Sequence, residues 1–230
     1  MTWIKICGNT NTDDAITAIE AGASALGFIF YADSPRNISP EAAREIVSKL
    51  PGNAETVGVF VEGTGSLQEW VEIAAFTGVA ALQVHMGLRG EIKPSSLTKL
   101  AHITSSRGKK LYLAVPAARV SSFSEVCQAE VSKGMVLDAI FLDSGTAKQP
   151  GGTGRVFDWQ QEAPFLAALS KNAKVVVSGG LRPDNVGNAI RILKPWGVDV
   201  VSGVEAAPGK KDPAKVRAFV QAVRMTEQVT

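Results

Sequence analysis

The fold of this chain is first indicated by residues 3–30, WIKICGNTNTDDAITAIEAGASALGFIF. This segment contains two short apolar runs, Trp3–Cys7 and Ala25–Phe30, which predict β-strands. The amphipathic stretch between them, Asp13–Ala21, predicts a helix. Two strands joined by a helical crossover run parallel. Cys7 is the last residue of its run and precedes a Gly-Asn-Thr turn, so we expect its thiol at the carboxyl end of the first strand.

The same strand–helix unit recurs along the whole chain. The predicted strands are Trp3–Cys7, Ala25–Phe30, Thr56–Val61, Ala80–Val84, Lys110–Val115, Asp138–Asp143, Ala173–Ser178 and Val198–Ser202. The predicted helices are Asp13–Ala21, Pro40–Leu50, Ser66–Thr77, Pro94–Ser105, Ser121–Lys133, Asp158–Leu169, Pro183–Leu193 and Asp212–Glu227. Eight alternating units without a linker predict one α/β domain over residues 1–230, a single (β/α)8 TIM barrel with its active site at the carboxyl ends of the strands.

A doubly wound open sheet is the alternative architecture. It predicts a dinucleotide-binding Gly-x-Gly-x-x-Gly motif after the first strand. The sequence there, Gly8-Asn9-Thr10-Asn11, does not have that spacing. We therefore favour the closed barrel.

Composition and charge exclude several classes of function. The chain is 45% hydrophobic and 20% charged, with a net charge of +2, which is too small for a nucleic-acid-binding protein. No apolar run approaches the roughly 18 residues that span a bilayer, so we expect a soluble, cytoplasmic protein with no membrane partner. Cys7 and Cys127 are far apart in the sequence, which suggests neither a disulfide nor a metal site. We expect Cys127 to be a buried structural residue.

Polar residues at the predicted strand ends are the candidates for chemistry. Cys7 ends strand one and Asp143 ends strand six, so a thiolate that takes a proton would face a carboxylic acid that gives one. Taken alone, Asp143 could cap a helix and Cys7 could fill the core. A nucleophilic pair of Cys7 with His85 is a less favoured alternative, because His85 could equally bind substrate.

Glycine-rich turns follow the last two predicted strands. Ser178-Gly179-Gly180 ends strand seven, and Ser202-Gly203 ends strand eight. Glycines let backbone N–H groups approach an anion, and a short helix after the turn adds the positive end of its dipole. A lone Gly-Gly pair is usually an ordinary turn. Two such turns on successive final strands predict a phosphate site.

Two loops carry further candidates. Arg36 lies just beyond strand two, where it could bind a carboxylate through two parallel hydrogen bonds. The loop of residues 144–156 contains Lys148, Pro150, Gly151, Gly152 and Gly154 and is long enough to act as a lid over the substrate. A solvated insertion is the alternative for this loop.

The chain also carries a set of motifs whose order and spacing agree together. They are Lys5-Ile6-Cys7-Gly8, Gly27-Phe28-Ile29-Phe30, Ser34-Pro35-Arg36, Ile38-Ser39-Pro40, Val57-Gly58-Val59-Phe60, Gln83 with His85, Leu142-Asp143, Gly151-Gly152-Thr153-Gly154, Phe157-Asp158-Trp159, Ser178-Gly179-Gly180-Leu181 and Gly203-Val204-Glu205. In combination they resemble the phosphoribosylanthranilate isomerase family over the whole chain. The resemblance implies an aldose–ketose isomerase of tryptophan biosynthesis. Its reaction is the Amadori rearrangement of N-(5-phosphoribosyl)anthranilate to 1-(2-carboxyphenylamino)-1-deoxyribulose 5-phosphate.

The resemblance implies a role for each catalytic candidate. Asp143 is the general acid that protonates the ring oxygen and opens the sugar to a Schiff base. Cys7 is the general base that removes the C2 proton. The substrate's own nitrogen accepts the electrons, so neither a cofactor nor a metal is implied.

The resemblance also implies substrate-binding residues. Arg36 binds the anthranilate carboxylate, and the turns at Gly179-Gly180 and Ser202-Gly203 bind the phosphate. His85 is assigned to the substrate as well, although Met86 follows it where the family usually has glycine. Asp199 is assigned to binding if its side chain faces the barrel interior, and Val201 stands where the family commonly has serine.

Three other functions remain as alternatives. A related bifunctional isomerase that also acts on a histidine-pathway aminoaldose has aspartate at the first strand end, where this chain has Cys7. A ribulose-phosphate epimerase needs several metal-binding histidines and aspartates at strand ends, and the only histidines here are His85 and His102. A binding barrel without turnover would not need both Cys7 and Asp143. The expected partner is a small phosphosugar substrate, and the expected state is a monomer or homodimer.

Overall fold

A computed structural model describes residues 1–88, 92–145, 154, 156–171 and 173–228. Within this part of the chain, eight parallel strands close into a barrel in sequence order. They are β1 (Trp3–Ile6), β2 (Ala25–Ile29), β3 (Glu55–Val61), β4 (Ala81–His85), β5 (Lys110–Pro116), β6 (Ala139–Asp143), β7 (Val175–Val177) and β8 (Gly197–Val200). Because β8 pairs with β1 along its whole length, the sheet has no free edge. The predicted barrel is confirmed and the open sheet is wrong.

Helices follow the strands around the outside of the barrel. They are α1 (Thr12–Glu20), α2 (Pro40–Lys49), α3 (Leu67–Thr77), α4 (Pro94–Ser106), α5 (Val120–Ser132), α6 (Trp159–Leu169), α7 (Val186–Leu193) and α8 (Pro213–Glu227). The Ser39 hydroxyl caps α2 and the Asp212 carboxylate caps α8, and each accepts hydrogen bonds from backbone amides of the first turn. None of the helices in the described part of the chain is long and apolar enough to cross a membrane.

Alternation along β1 divides its side chains between two cores. Ile4 and Ile6 belong to the apolar layer between strands and helices. Trp3 and Lys5 point the other way, into the barrel, where Lys5 Nζ lies 5.3 Å from the centre of the Phe141 ring. The inner cluster consists of Ala25, Val57, Ala81, Tyr112, Ala114, Ala139, Phe141 and Val176. The interior of the barrel is therefore a packed core, and β1 contributes one charged side chain to it, that of Lys5.

The chain after β8 differs from the sequence-based prediction. The predicted strand extends to Ser202, whereas β8 ends at Val200 and residues Ser202–Val204 form one turn of 3-10 helix. An antiparallel hairpin then follows, β9 (Glu205–Ala207) and β10 (Lys210–Lys211). Strands of this length give no periodic pattern, so the sequence did not reveal the hairpin.

Candidate active site

Cys7 lies directly after β1, at the carboxyl end of the barrel. Its amide donates to the Val200 carbonyl oxygen at 2.9 Å, and its own carbonyl oxygen accepts a hydrogen bond from Lys211 Nζ at 2.5 Å. Its thiol packs against the backbone of Gly27 on β2, where an added Cβ would collide with Cys7 Sγ. The residue is only 3% exposed. Both its backbone and its sulfur are therefore held by neighbouring strands.

The charge state of this thiol follows from its surroundings. Burial raises the pKa of Cys7 above its ordinary value, and this exceeds the opposing effect of the Lys5 ammonium. Asp199 raises the pKa of Cys7 further. At neutral pH the ligand-free protein therefore holds a thiol, and a base role requires the minor thiolate form.

Asp143 is the last residue of β6, and its surroundings favour the protonated carboxylic acid. Its Oδ2 accepts a hydrogen bond from the Ser178 hydroxyl at 3.1 Å. Its Oδ1 is buried, and among the described residues it has no hydrogen-bond partner of ordinary geometry. The backbone of Gly145 also interacts with this carboxyl and acts to lower its pKa. Burial, and secondly the charge of Asp199, raise the pKa of Asp143 to about 6, against a weaker lowering effect of the Ser178 hydrogen bond. A carboxyl in this state can protonate a substrate atom close to neutral pH.

Lys5 and Asp199 form an ion pair inside the barrel. Lys5 Nζ donates to Asp199 Oδ1 at 2.9 Å, and both side chains are almost completely buried. Burial acts to lower the pKa of Lys5, but the charges of Asp199 and then Cys7 outweigh it and raise that pKa. The pairing of β1 with β8 places Lys5 beside Asp199, which settles that Asp199 faces the interior. Lys5 could have been recognised from the sequence, since it lies two residues before Cys7 and therefore on the same face of the strand.

The two glycine turns after β7 and β8 come together next to Asp143. One small cavity is lined by Asp143, Ser178, Gly179, Gly180, Leu181, Asp199, Val200, Val201 and Ser202. Gly179 and Gly180 have positive φ angles of 83° and 66°. An added Cβ on Gly203 would collide with the Leu181 carbonyl oxygen, so the turns are in contact and only glycine fits there.

The helices expected to support an anion differ from the prediction. The turn after Gly180 leads into α7 only at Val186, and Ser202 begins a 3-10 helix of three residues. Within the described residues, the amides of Gly179 and Gly180 donate to no other group. Any anion at this point would therefore meet backbone N–H groups of the turns rather than the end of a long helix dipole.

Arg36 reaches back from the loop after β2 to the hairpin after β8. Its Nε donates to Glu205 Oε1 at 2.9 Å, and its Nη2 donates to Glu205 Oε2 at 2.7 Å. This bidentate pair uses the Nε edge of the guanidinium. No described residue bonds to the edge formed by Nη1 and Nη2, so that edge is open to another carboxylate. The sequence alone does not predict a role for Glu205 beyond its place in the Gly203-Val204-Glu205 motif, because its contact with Arg36 depends on the β9–β10 hairpin.

His85 ends β4 and is buried, with 7% of its surface exposed. Its Nε2 lies 3.4 Å from Gln83 Nε2, two residues earlier on the same face of the strand. Gln83 Oε1 is buried, and none of the residues that the structure describes forms a hydrogen bond with it. The carboxyl end of β4 therefore holds two polar groups that could meet a ligand.

Known proteins match the whole length of this barrel. Residues 4–222 match the family model for N-(5'phosphoribosyl)anthranilate (PRA) isomerase. An N-(5'-phosphoribosyl)anthranilate isomerase from Desulforudis audaxviator is 40% identical over 224 residues, which are 97% of this chain and 98% of the relative. The chain belongs to the PRA isomerase family.

Solved PRA isomerases share the fold as well. The structure from Thermotoga maritima has a TM-score of 0.79 and 35% identity, and the match covers 98% of this chain and 100% of that one. A second PRA isomerase was solved in complex with reduced 1-(o-carboxyphenylamino)-1-deoxyribulose 5-phosphate. It has a TM-score of 0.76 and 33% identity over 98% of this chain and 100% of that one.

One loop of the predicted PRA isomerase site lies largely outside the described residues. In the 144–156 loop, Lys148, Pro150, Gly151 and Gly152 fall outside the described residues, and the lid prediction falls there with them. Gly154 is described and has a positive φ of 70°. Among the residues that are described, no group of three or more His, Cys, Asp or Glu side chains could hold a metal ion.

Proposed function

We propose that this chain converts N-(5-phosphoribosyl)anthranilate into 1-(2-carboxyphenylamino)-1-deoxyribulose 5-phosphate, with Asp143 as general acid and Cys7 as general base. Family membership supports the reaction. The observation that carries the residue roles is the pair of environments at the barrel mouth. Asp143 has a raised pKa of about 6 beside the glycine turns, and Cys7 is a buried thiol at the end of β1.

The first step is ring opening. Asp143 gives its proton to the ring oxygen of the phosphoribosyl group, and the bond from that oxygen to C1 breaks. The lone pair of the anthranilate nitrogen forms the C1=N bond, so the product is an iminium ion. An acid with a pKa near 6 is still partly protonated at neutral pH, which an ordinary aspartate is not.

The second step is removal of the C2 proton by the Cys7 thiolate. The electrons of that C–H bond form a C1=C2 double bond, and the iminium nitrogen recovers its lone pair. The resulting enolamine gains a proton at C1 and loses one from its 2-hydroxyl group, which gives the ketone. C1 is reduced and C2 is oxidised within the same molecule, so the steps need no external oxidant or reductant, and no cofactor or metal enters the proposal.

We assign the remaining predicted residues to substrate binding. We assign the phosphate to the turns at Gly179-Gly180 and Ser202-Gly203, since no described residue accepts a hydrogen bond from the amides of Gly179 and Gly180. We assign the anthranilate carboxylate to the open edge of Arg36. Asp199 and His85 complete the proposed set, and Asp199 also faces Lys5.

We also propose that the chain works on this small phosphosugar as a monomer or homodimer in the cytoplasm. Cys7 and Cys127 are both free and buried, which suits a reducing compartment.

Two substitutions test the residue roles. Cys7→Ala and Asp143→Asn should each lower kcat at least about 10²-fold, because each removes one proton-transfer group. Loss of substrate fluorescence measures turnover, and equilibrium binding of the reduced product analogue checks that the site is intact. Cys127→Ala is the matched control, since Cys127 is the other buried cysteine and lies on α5. Wild-type turnover in either test variant contradicts the assignment.

A further inference from the structure

The carboxylate of Glu205 holds two buried cations at the mouth of the barrel. Its oxygens accept three hydrogen bonds from Arg36, at 2.9, 3.1 and 2.7 Å, and one from Lys211 Nζ at 3.1 Å. The Lys211 side chain is fully buried, and those of Arg36 and Glu205 are 9% and 4% exposed. We call these three residues the Glu205 cluster.

The cluster touches the backbone that carries Cys7. Lys211 Nζ donates to the Cys7 carbonyl oxygen at 2.5 Å, and the Lys211 amide donates to Asp14 Oδ2 at 2.7 Å. An added Cβ on Gly8, where φ is 75°, would approach Arg36 Cδ to 3.0 Å. The turn after Cys7, the guanidinium of Arg36 and the β9–β10 hairpin therefore form one packed unit.

The charges within the cluster depend on one another. Burial acts to raise the pKa of Glu205, but the Arg36 hydrogen bonds and the charge of Lys211 outweigh it and lower that pKa. Burial lowers the pKa of Lys211 against the opposing attraction of Glu205. Removal of a carboxylate from such a group leaves buried cations unpaired, which is the costly case.

The geometry of Arg36 shows what this arrangement achieves. A guanidinium has a second edge, made by Nη1 and Nη2, once its Nε edge is occupied. Without a fixed partner, the long arginine side chain samples many rotamers, and a substrate carboxylate would have to order it. Glu205 fixes the plane of the guanidinium in advance, so the free edge has a set direction.

We propose that Glu205 is a positioning residue for substrate specificity: it orients Arg36 so that the free guanidinium edge selects substrates with an aryl carboxylate. This inference rests on the proposed function, because it uses the anthranilate carboxylate as the group that Arg36 meets. Glu205 itself does not touch the substrate in this arrangement. Its effect passes through Arg36.

The test compares two substrates. One is N-(5-phosphoribosyl)anthranilate, and the other is the aniline analogue, N-(5-phosphoribosyl)aniline, which lacks the carboxylate. The measured quantity is the discrimination ratio, kcat/KM for the first substrate divided by kcat/KM for the second. Glu205→Gln keeps the size of the side chain and removes its charge. We expect this ratio to fall about tenfold, mainly through a higher KM for the anthranilate substrate.

Further variants separate positioning from general damage. Glu205→Asp keeps the charge, so its discrimination ratio should lie between those of Glu205→Gln and the wild-type protein. In an Arg36→Ala background, Glu205→Gln should leave the already lowered ratio unchanged, because its effect requires the arginine. Glu130→Gln is the matched control, since Glu130 is a buried carboxylate on α5 that pairs with Lys133, the residue directly after that helix. It should keep the wild-type ratio.

Each outcome is decisive. An equal loss of kcat/KM for both substrates in Glu205→Gln means that Glu205 only supports the fold, which overturns the proposal. A further fall of the ratio in the Arg36→Ala background overturns it as well. If Glu205→Gln does not fold, the discrimination ratio is measured for Glu205→Asp instead. A ratio equal to that of the wild-type protein then overturns the proposal. Failure of the wild-type protein to turn over the anthranilate substrate is a different result and contradicts the proposed function.

Discussion

Gly27 on β2 determines where the Cys7 thiol can lie, and Gly27→Ala tests this directly. An added Cβ would collide with Cys7 Sγ and would come within 3.0 Å of both Cys7 Cβ and Lys5 Cε. Carbon and sulfur atoms in ordinary contact are separated by about 3.5–4 Å, so the thiol has to retreat by about 1 Å. Strand β2 cannot yield easily, because it pairs with both β1 and β3.

The expected effect on rate is large and the effect on stability is moderate. A displacement of about 1 Å in a catalytic group can cost about 10²-fold in rate, so kcat of Gly27→Ala should fall by about that factor. Overpacking of this kind costs about 1–3 kcal/mol in free energy of unfolding, which a stable barrel tolerates. Turnover is followed by substrate fluorescence, and urea unfolding gives the stability.

The matched control is Gly52→Ala, because an added Cβ at Gly52 meets no atom within 4 Å. This variant should keep wild-type kcat and stability. In addition, Gly27→Ala should lower kcat no further once Cys7 is alanine, since the displaced sulfur is then absent, whereas the cost in stability from the remaining Cβ and from Lys5 Cε should persist. A folded Gly27→Ala protein with wild-type kcat would refute the reasoning that the thiol is the catalytic base in this position.

Two further predictions concern the charged groups. Turnover requires protonated Asp143, with its pKa of about 6, and ionised Cys7, whose pKa lies above its ordinary value. Accordingly, kcat/KM should fall below pH 6 as thiolate is lost, stay level between pH 6 and the Cys7 pKa, and fall again above the Cys7 pKa. The Ser178 hydrogen bond lowers the pKa of Asp143, so Ser178→Ala should move the lower inflection to higher pH. An unmoved inflection contradicts the Asp143 assignment. Lys5→Met leaves Asp199 buried without its partner and should lower the free energy of unfolding by about 3–5 kcal/mol in urea, whereas Lys5→Met with Asp199→Leu should recover most of it. An unchanged stability in Lys5→Met shows that the pair contributes nothing.

The raised pKa of Cys7 has a consequence for the proposed mechanism. The form with Asp143 protonated and Cys7 ionised is a small fraction of the ligand-free protein, because the acid has the lower pKa of the two. A cationic iminium intermediate beside the sulfur would favour the thiolate, since an opposite charge nearby stabilises it. Lys5 acts in the same direction from the barrel interior.

Much of the barrel could be predicted from sequence because it depends on local patterns. The alternation of Trp3, Lys5 and Cys7 with Ile4 and Ile6 marks two faces of one strand. Repetition of strand and helix then leaves few topologies, and the shared direction of parallel strands brings their carboxyl ends together. Cys7, Asp143 and the glycine turns could therefore be assigned to one face.

The contacts between these residues could not be predicted in the same way. The β9–β10 hairpin has strands of three and two residues, too short for a pattern, and it carries both Glu205 and Lys211. The short helix expected at the turn after β8 is a single 3-10 turn, Ser202–Val204, and its length could not be predicted from the sequence. Such features depend on how distant segments pack, which no local window of sequence records.

The sequence by itself determined a barrel with a thiol and a carboxyl at two strand ends, because strand periodicity and turn chemistry are local properties. The resemblance to the PRA isomerase family rested on its motifs taken together. Only the tertiary structure decided the states of these groups. The closure of β8 on β1 buries the Lys5–Asp199 pair, burial raises the pKa of both Cys7 and Asp143, and Gly27 from the next strand confines the sulfur. Burial and charge–charge distance arise from segments far apart in the chain, so they exist only once the barrel has closed.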